Sequence, residues 1–165
     1  MAGRRVFFSF HYERDIWRAS NVRQSGAIDA KARAGFSDAS LWEKIKKESN
    51  EKIRKIIHEG LDGTSVTVVL IGEETANRPW VNYEIQESIK RGNGLLGIRI
   101  HGIKDQNGNK STRGSVPNAL QENSYAVHDW DRTHIGKWIE RAAINAGKPC
   151  LLHQQLKCLL CKYWW

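Results

Sequence analysis

Two neighbouring runs decide how this chain folds: Ser65-Val66-Thr67-Val68-Val69-Leu70-Ile71-Gly72 and, after a short loop, Arg78-Pro79-Trp80-Val81-Asn82-Tyr83-Glu84-Ile85-Gln86-Glu87-Ser88-Ile89. The first is nearly continuous, apolar and rich in β-branched residues, the pattern of a strand buried on both faces. The second has helical spacing. Val81, Ile85 and Ile89 form one stripe, and Trp80, Glu84 and Ser88 form the adjoining face, about 100° around the helix. The stripe is expected to dock on a sheet and to leave Glu84 at its margin, near the C-terminal edge of a strand. Open α/β sheets place ligand sites along that edge. A carboxylate beside a tryptophan in such a cleft suits sugar or nucleotide chemistry, although spacing alone makes Glu84 an ordinary exposed helix residue.

Working outward, strands and helices keep alternating. Arg5-Val6-Phe7-Phe8-Ser9-Phe10 reads as a buried strand, followed by a helix over 13–24 with Ile16, Ala19 and Val22 at loose helical spacing. Residues 25–40 are rich in Gly, Ala, Ser and Asp and support only a weak strand near Ala27–Ile28, then a loop. A helix over 40–59 carries Leu41, Ile45, Ile53, Ile56 and Ile57; Ser40 and Glu43 form a capping box, and Gly60 and Gly63 end it. Gly92 and Gly94 close the Glu84 helix. Leu95 to Ile100 is a strand, 102–118 a polar loop and Tyr125-Ala126-Val127 a last short strand. Ile135, Trp138, Ile139, Ala142 and Ala146 mark a final amphipathic helix. The expected architecture is α/β and flavodoxin-like: a central parallel five-stranded sheet with helices on both faces.

Composition narrows the function. At 165 residues, 40% hydrophobic and 27% charged, the chain reads as one globular domain. No apolar run reaches the ~18–20 residues that span a bilayer. Met1-Ala2-Gly3-Arg4-Arg5 lacks the apolar region of a signal peptide, so a cytoplasmic protein without membrane contact is expected. The net charge of +8 would suit nucleic acid or a phosphate-bearing ligand. However, Lys44, Lys46, Lys47, Lys52, Arg54 and Lys55 alternate with Glu43, Glu48 and Glu51 on one predicted helix. The Glu48–Lys52 and Glu51–Lys55 spacings describe a solvated face, and no nucleic-acid partner is expected.

Four strings then point to a family. Phe7-Phe8-Ser9-Phe10-His11-Tyr12-Glu13, Asp38-Ala39-Ser40-Leu41-Trp42, the run from Thr64 to Gly72, and Trp80-Val81-Asn82-Tyr83-Glu84-Ile85 resemble prokaryotic TIR-like domains, in particular the TIR subunit of the bacterial Thoeris anti-phage system. The likeness spans roughly residues 4–145, with the strings in the family's order. It implies an enzyme that senses infection, consumes NAD as substrate with no separate cofactor, and makes a cyclic ADP-ribose isomer. That diffusible nucleotide activates a partner effector. A phage-derived trigger and TIR self-association belong to the same implication. By resemblance Glu84 is the catalytic residue, and Ser9, Phe10, His11, Asp38, Trp42 and Trp80 line the substrate pocket.

The chemistry is consistent with one carboxylate. Nicotinamide leaves readily because its ring nitrogen is cationic, so the paired carboxylates of ordinary glycoside hydrolysis are not required. Glu84 would hold ribose hydroxyls and stabilise positive charge developing at the anomeric carbon. Phe10, Trp42 or Trp80 would stack bases and fold the substrate, so that its own adenine nitrogen or ribose hydroxyl replaces water as nucleophile. Trp80 serves equally well as a core residue, His11 as a surface turn, and Asp38 as an organiser of the loop before Ser40. His58, His101, His128 and His134 lack ligand spacing, and no metal is expected.

The expected boundaries are a TIR-like domain over 1–148 and a Cys/Leu/Trp-rich tail over 149–165. Cys150, His153, Cys158 and Cys161 supply potential zinc ligands, but their spacing is atypical and a reduced apolar helix is the preferred reading. Two rival functions remain: a non-enzymatic TIR interaction module, and an enzyme resembling nucleoside deoxyribosyltransferases. Ser9-Phe10-His11 after the first strand is neither the acidic cluster of a phospho-receiver nor a flavin phosphate loop.

Overall fold

A computed structural model describes residues 4–25, 33–34 and 48–148. The described elements are β1 (Val6–Phe10), α1 (Tyr12–Gln24), β2 (Arg33–Ala34), α2 (Asn50–Leu61), β3 (Val66–Ile71), α3 (Pro79–Lys90), β4 (Gly94–Arg99), α4 (Asn118–Glu122), β5 (Val127–Asp129) and α5 (Ile135–Asn145), with a 3₁₀ turn at Thr75–Asn77. All strand pairs are parallel, in the order β2-β1-β3-β4-β5. The body of the sheet is four strands, β1, β3, β4 and β5. Among the described residues the fifth position is held by the two-residue Arg33–Ala34 against Val6 and Phe7, so the expected five-stranded sheet is described as four strands and an edge pair.

Register sorts the side chains. Phe7 pairs with Thr67 and Ser9 with Val69, which puts these four on one face, while Val6, Phe8 and Phe10 align with Val66, Val68 and Leu70 on the other. The second face joins Leu96, Ile98 and Ile100 and is covered by Ala19 and Val22 of α1 and by Ile135, Ile139 and Ala143 of α5. On the first face, Val81 and Ile85 of α3 pack with Val69, Ile71, Leu95 and Leu120, while Ile53, Ile57 and Leu61 of α2 surround Phe7. Full burial of each such aliphatic side chain is worth about 1.5–3 kcal/mol. The stripe read from Val81 and Ile85 therefore fixes which side of α3 meets the sheet.

α3 begins where its sequence demands. Arg78 is extended at φ −89°, ψ 118°, as a residue before proline prefers, and Pro79 occupies the first helical position. Arg91 ends the helix in αR geometry, and Gly92 follows at φ +63°, a conformation that suits glycine.

Several expectations shift. The helix read over 40–59 has a described start at Asn50, because Ser49 is extended and its side chain accepts from Lys52 N; the Ser40–Glu43 cap lies outside the described residues. Its end moves two residues on, to Leu61, with Gly60 inside the helix. Glu48 still reaches Lys52 at 2.7 Å, but from before the cap, and Lys55 approaches Glu59 at 4.0 Å. The weak strand at Ala27–Ile28 lies outside the described residues, and β2 pairs within the segment read as loop. Gly94 does not close α3: it begins β4, where a Cβ would sit 2.3 Å from the Ala142 carbonyl oxygen of α5. The last strand is Val127–Asp129 rather than 125–127, and Tyr125, just before it, packs against the cluster that contains Leu120 and Ala119. The polar loop ends in the short α4, and Ala143 rather than Ala146 is the buried residue late in α5. The tail with its three cysteines lies outside the described residues.

Candidate active site

The reversal of chain order between β1 and β3 opens a crevice at their C-terminal ends, the switch point at which open α/β sheets bind ligands. Ser9, one residue before the end of β1, is fully buried and donates its hydroxyl to Glu84 Oε2 at 2.5 Å. Glu84 comes from the middle of α3 and is only 5% exposed, so the exposed surface residue suggested by spacing is a buried carboxyl. Burial pushes it up to about 8, and the Ser9 hydrogen bond acts in the opposite direction by favouring the charged form. Glu84 also has a fixed backbone. Its carbonyl accepts from Ser88 Oγ at 2.7 Å, and Ser88 Oγ lies 2.7 Å from Thr67 Oγ1 of β3. Because Ser88 spends its one proton on Glu84, Thr67 is the donor of that second bond.

Beside this pair lies a cleft of about 310 Å³ that includes Phe10, His11, Glu13, Ile53, Arg78 and Trp80 in its lining. Three expected pocket residues, Phe10, His11 and Trp80, are thus brought to one cavity. Ser9 and Glu84 are not part of its wall: Ser9 immediately precedes Phe10, and Glu84 is one helical turn beyond Trp80. Asp38 and Trp42 lie outside the described residues. Phe10 stacks on Tyr12 with ring centroids 5.8 Å apart. Trp80 meets Tyr83 edge-on at 5.8 Å and is partly buried against the Phe7–Ile53–Ile57 cluster, so it serves the core and the cleft together. His11 is 8% exposed, and its Nδ1 has no hydrogen-bond partner among the described residues. Burial, reinforced by the Arg78 charge, holds its pKa below the ordinary histidine value, so the imidazole is neutral at pH 7.

A larger cleft of about 600 Å³ lies between the N-terminal end of β4 and α5, lined by Gly94, Trp138 and Arg141 among others. It contains none of the expected site residues and sits at the opposite edge of the sheet. The smaller crevice is the chemically equipped one.

Charged struts frame it. Arg14 donates to Glu74 and Glu73, each at 2.6 Å, and Arg78 donates to the other oxygen of Glu74. Sequence reading passed over the interior of α1. Asp15 is fully buried and Arg18 nearly so; they approach at 3.4 Å, and Arg18 also donates to the carbonyls of Ile103 and Asn109. This pins the loop after β4 to α1. Burial raises the Asp15 carboxyl and the Arg18 charge opposes that rise. Their only sequence signal was the i,i+3 spacing of opposite charges. Among the described residues no group of three or more His, Cys, Asp or Glu side chains is placed to hold a metal ion. Nor is any described helix long and apolar enough to cross a membrane.

A buried carboxyl one helical turn from a cleft lined by aromatic rings and a neutral imidazole is equipped to meet a cationic or cation-forming ligand. Comparison with known proteins gives the family. Residues 7–105 match the model described as Thoeris protein ThsB, TIR-like domain, a span that runs from Phe7 in β1 through β4 and holds all the site residues above. The chain is also 44% identical over 137 residues to ThsB1 of Bacillus cereus (strain MSX-D12), a protein named provisionally as a cyclic ADP-D-ribose synthase. The alignment covers 82% of this chain and 71% of that protein. The chain belongs to the TIR-like domain family of the Thoeris protein ThsB.

Proposed function

We propose that this chain is an anti-phage TIR enzyme of the flavodoxin-like kind, which cleaves NAD and cyclises the ADP-ribose moiety into a signalling nucleotide. The observation that carries the reading is Glu84, buried against Ser9 at the switch-point crevice and next to a cleft walled by Phe10 and Trp80. The name borne by the Bacillus cereus relative supports the product class.

The bond from C1′ to the nicotinamide nitrogen breaks and its electron pair neutralises the pyridinium ring. Positive charge then develops at C1′. Before substrate binds, the Glu84 carboxyl, pushed up to about 8, is mostly protonated at neutral pH. A cationic nicotinamide riboside beside it favours the carboxylate, so substrate binding itself charges the catalytic group. That carboxylate stabilises the oxocarbenium-like centre and holds the ribose hydroxyls. Phe10 and Trp80 stack bases, and His11 contributes a neutral polar wall. Attack by an adenine nitrogen or ribose hydroxyl of the same molecule closes the ring, whereas attack by water would yield ADP-ribose; an attacking hydroxyl or water gives up its proton to the Glu84 carboxylate or to solvent. Asp38 and Trp42 complete the pocket in this proposal.

A cytoplasmic enzyme with a phage-derived trigger, self-association through the TIR domain and an effector reached by the diffusible nucleotide follow from the same reading, with 1–148 as the working unit and 149–165 as an appended tail. The experiment is product analysis with NAD in activated extract, for wild type and Glu84→Gln. Cyclic ADP-ribose isomer from wild type and none from Glu84→Gln is the expected result. Undiminished turnover by the variant overturns the mechanism, and transfer between free nucleosides with NAD untouched assigns a deoxyribosyltransferase instead.

A further inference from the structure

We infer that Ser9 does not touch the substrate but is a positioning residue for Glu84, and that Thr67 and Ser88 complete the same device by fixing the backbone from which Glu84 projects. The inference rests on Glu84 being the catalytic carboxylate.

The interface between α3 and the sheet is otherwise apolar, built from Val81 and Ile85 against Val69, Ile71 and Leu95. Through it runs one line of hydroxyls. Ser9 of β1 donates to the Glu84 side chain, and Ser88 donates to the Glu84 carbonyl while accepting from Thr67 of β3. Ser9, Thr67 and Ser88 are all fully buried. Ser9 and Thr67 sit on the same sheet face two positions apart in register, so the two strands grip Glu84 at side chain and main chain. An apolar interface permits a helix to slide or rotate slightly; directional bonds at both ends of one residue do not. Ser9 engages Oε2, and no hydrogen bond to Oε1 is formed among the described residues, which leaves that oxygen for the ligand. No ionisable neighbour from β1, β3 or α3 shifts Glu84; burial and Ser9 are the two influences on it. Ser9 therefore sets both the direction of the carboxyl and part of its acidity, without a surface of its own to offer a ligand.

The test is steady-state NAD cleavage by the full chain in activated extract across a pH series. Ser9→Ala should lower kcat by about 10- to 100-fold with KM within about twofold, the loss of one hydrogen bond to a charged group. The acid limb of the profile should move to higher pH, because the bond that favours the carboxylate is gone. Thr67→Val should lower kcat with less movement of that limb, and Thr67→Ser, which keeps the hydroxyl, should restore it. A rise in KM with kcat and pH limb unchanged in Ser9→Ala overturns the inference and makes Ser9 a substrate contact. Should Ser9→Ala fold poorly, the contrast between Thr67→Val and Thr67→Ser decides alone, equal kcat in the two overturning the inference. Activity retained by Glu84→Gln removes the underlying reading, whereas an inactive Glu84→Gln with fully active Ser9→Ala removes only this one.

Discussion

Ser9 Oγ and Glu84 Oε2 stand 2.5 Å apart where the C-terminal end of β1 meets the middle of α3. The contact joins residues far apart in sequence, and it places a carboxyl inside the fold with a single hydroxyl as its partner among the described residues. One hydrogen bond does not repay the loss of water around a charge. Burial accordingly outweighs Ser9, and the group is pushed up to about 8.

The stability of the protein should record that imbalance. The folded-state value lies above the unfolded value of 4.5, so the native state holds more protons between the two, and stability falls as pH rises from about 4.5 through about 8. Glu84→Gln removes the titration. Its melting temperature should equal that of wild type near about pH 4 and exceed it by several degrees at about pH 9. Parallel melting curves for the two proteins at both pH values would show that Glu84 is not held neutral by the fold.

Catalysis should show the same group from the other side. If the carboxylate is the working form, kcat/KM for NAD, which reports the free enzyme, should rise with pH to a limb near about 8. The limb in kcat should lie lower, because a bound cationic substrate favours ionisation. The two profiles are measured on activated enzyme over about pH 5.5–9. A flat kcat/KM profile across that range is the adverse outcome.

Trp80 tests how far one residue can serve both core and cleft. It packs on the α2 cluster and against Tyr83 while lining the cavity with Phe10 and His11. Trp80→Phe keeps an aromatic wall and should cost under ~2 kcal/mol of stability with a modest rise in KM. Trp80→Ala should cost ~2–3 kcal/mol and raise KM by more than tenfold. Chemical denaturation and NAD saturation curves separate the two effects; an unchanged KM in Trp80→Ala would leave it a core residue alone.

Much of this architecture was legible because it is periodic. The Val66–Ile71 run and the Val81–Ile85 stripe specify a buried strand and the helix face that covers it, and the same logic finds β1, β4 and α5. Short elements escaped. The described part of β2 is two residues held by pairing with β1, and α4 has five, so neither carries a period of its own. Gly94 looked like a helix stop, but its reason for being glycine is the Ala142 carbonyl of α5, a contact no local pattern encodes. At the site, resemblance supplied Glu84, while its burial depends on β1 lying beside β3, a matter of strand order. Asp15 and Arg18 were missed because charges on a helix ordinarily mean solvent.

The glycines around the α3–β4 turn give a clean contrast. Gly92 has φ +63° with open space where a Cβ would go, so Gly92→Ala should cost about 1–2 kcal/mol of left-handed strain. Gly94→Ala would push a Cβ to 2.3 Å from a backbone oxygen, which only movement of α5 relieves. It should cost ~3 kcal/mol or more. Urea midpoints of the two variants check the order, and Gly92→Ala as the more damaging change would contradict the packing of α5 on β4.

Arg18 should matter for stability well beyond its appearance in sequence. Arg18→Ala leaves Asp15 buried without its counter-charge and the Ile103 and Asn109 carbonyls without their donor, a loss of ~3–5 kcal/mol. Replacing both partners, Asp15→Asn with Arg18→Met, should recover part of that loss, because no uncompensated charge then remains inside. Hydrogen exchange supplies the local readout. Amides around Ile103 and Asn109 should exchange faster in Arg18→Ala than in wild type, while those of β3 keep their order of protection. Uniform loss of protection across the sheet would mean that Arg18 supports the whole fold rather than the loop after β4.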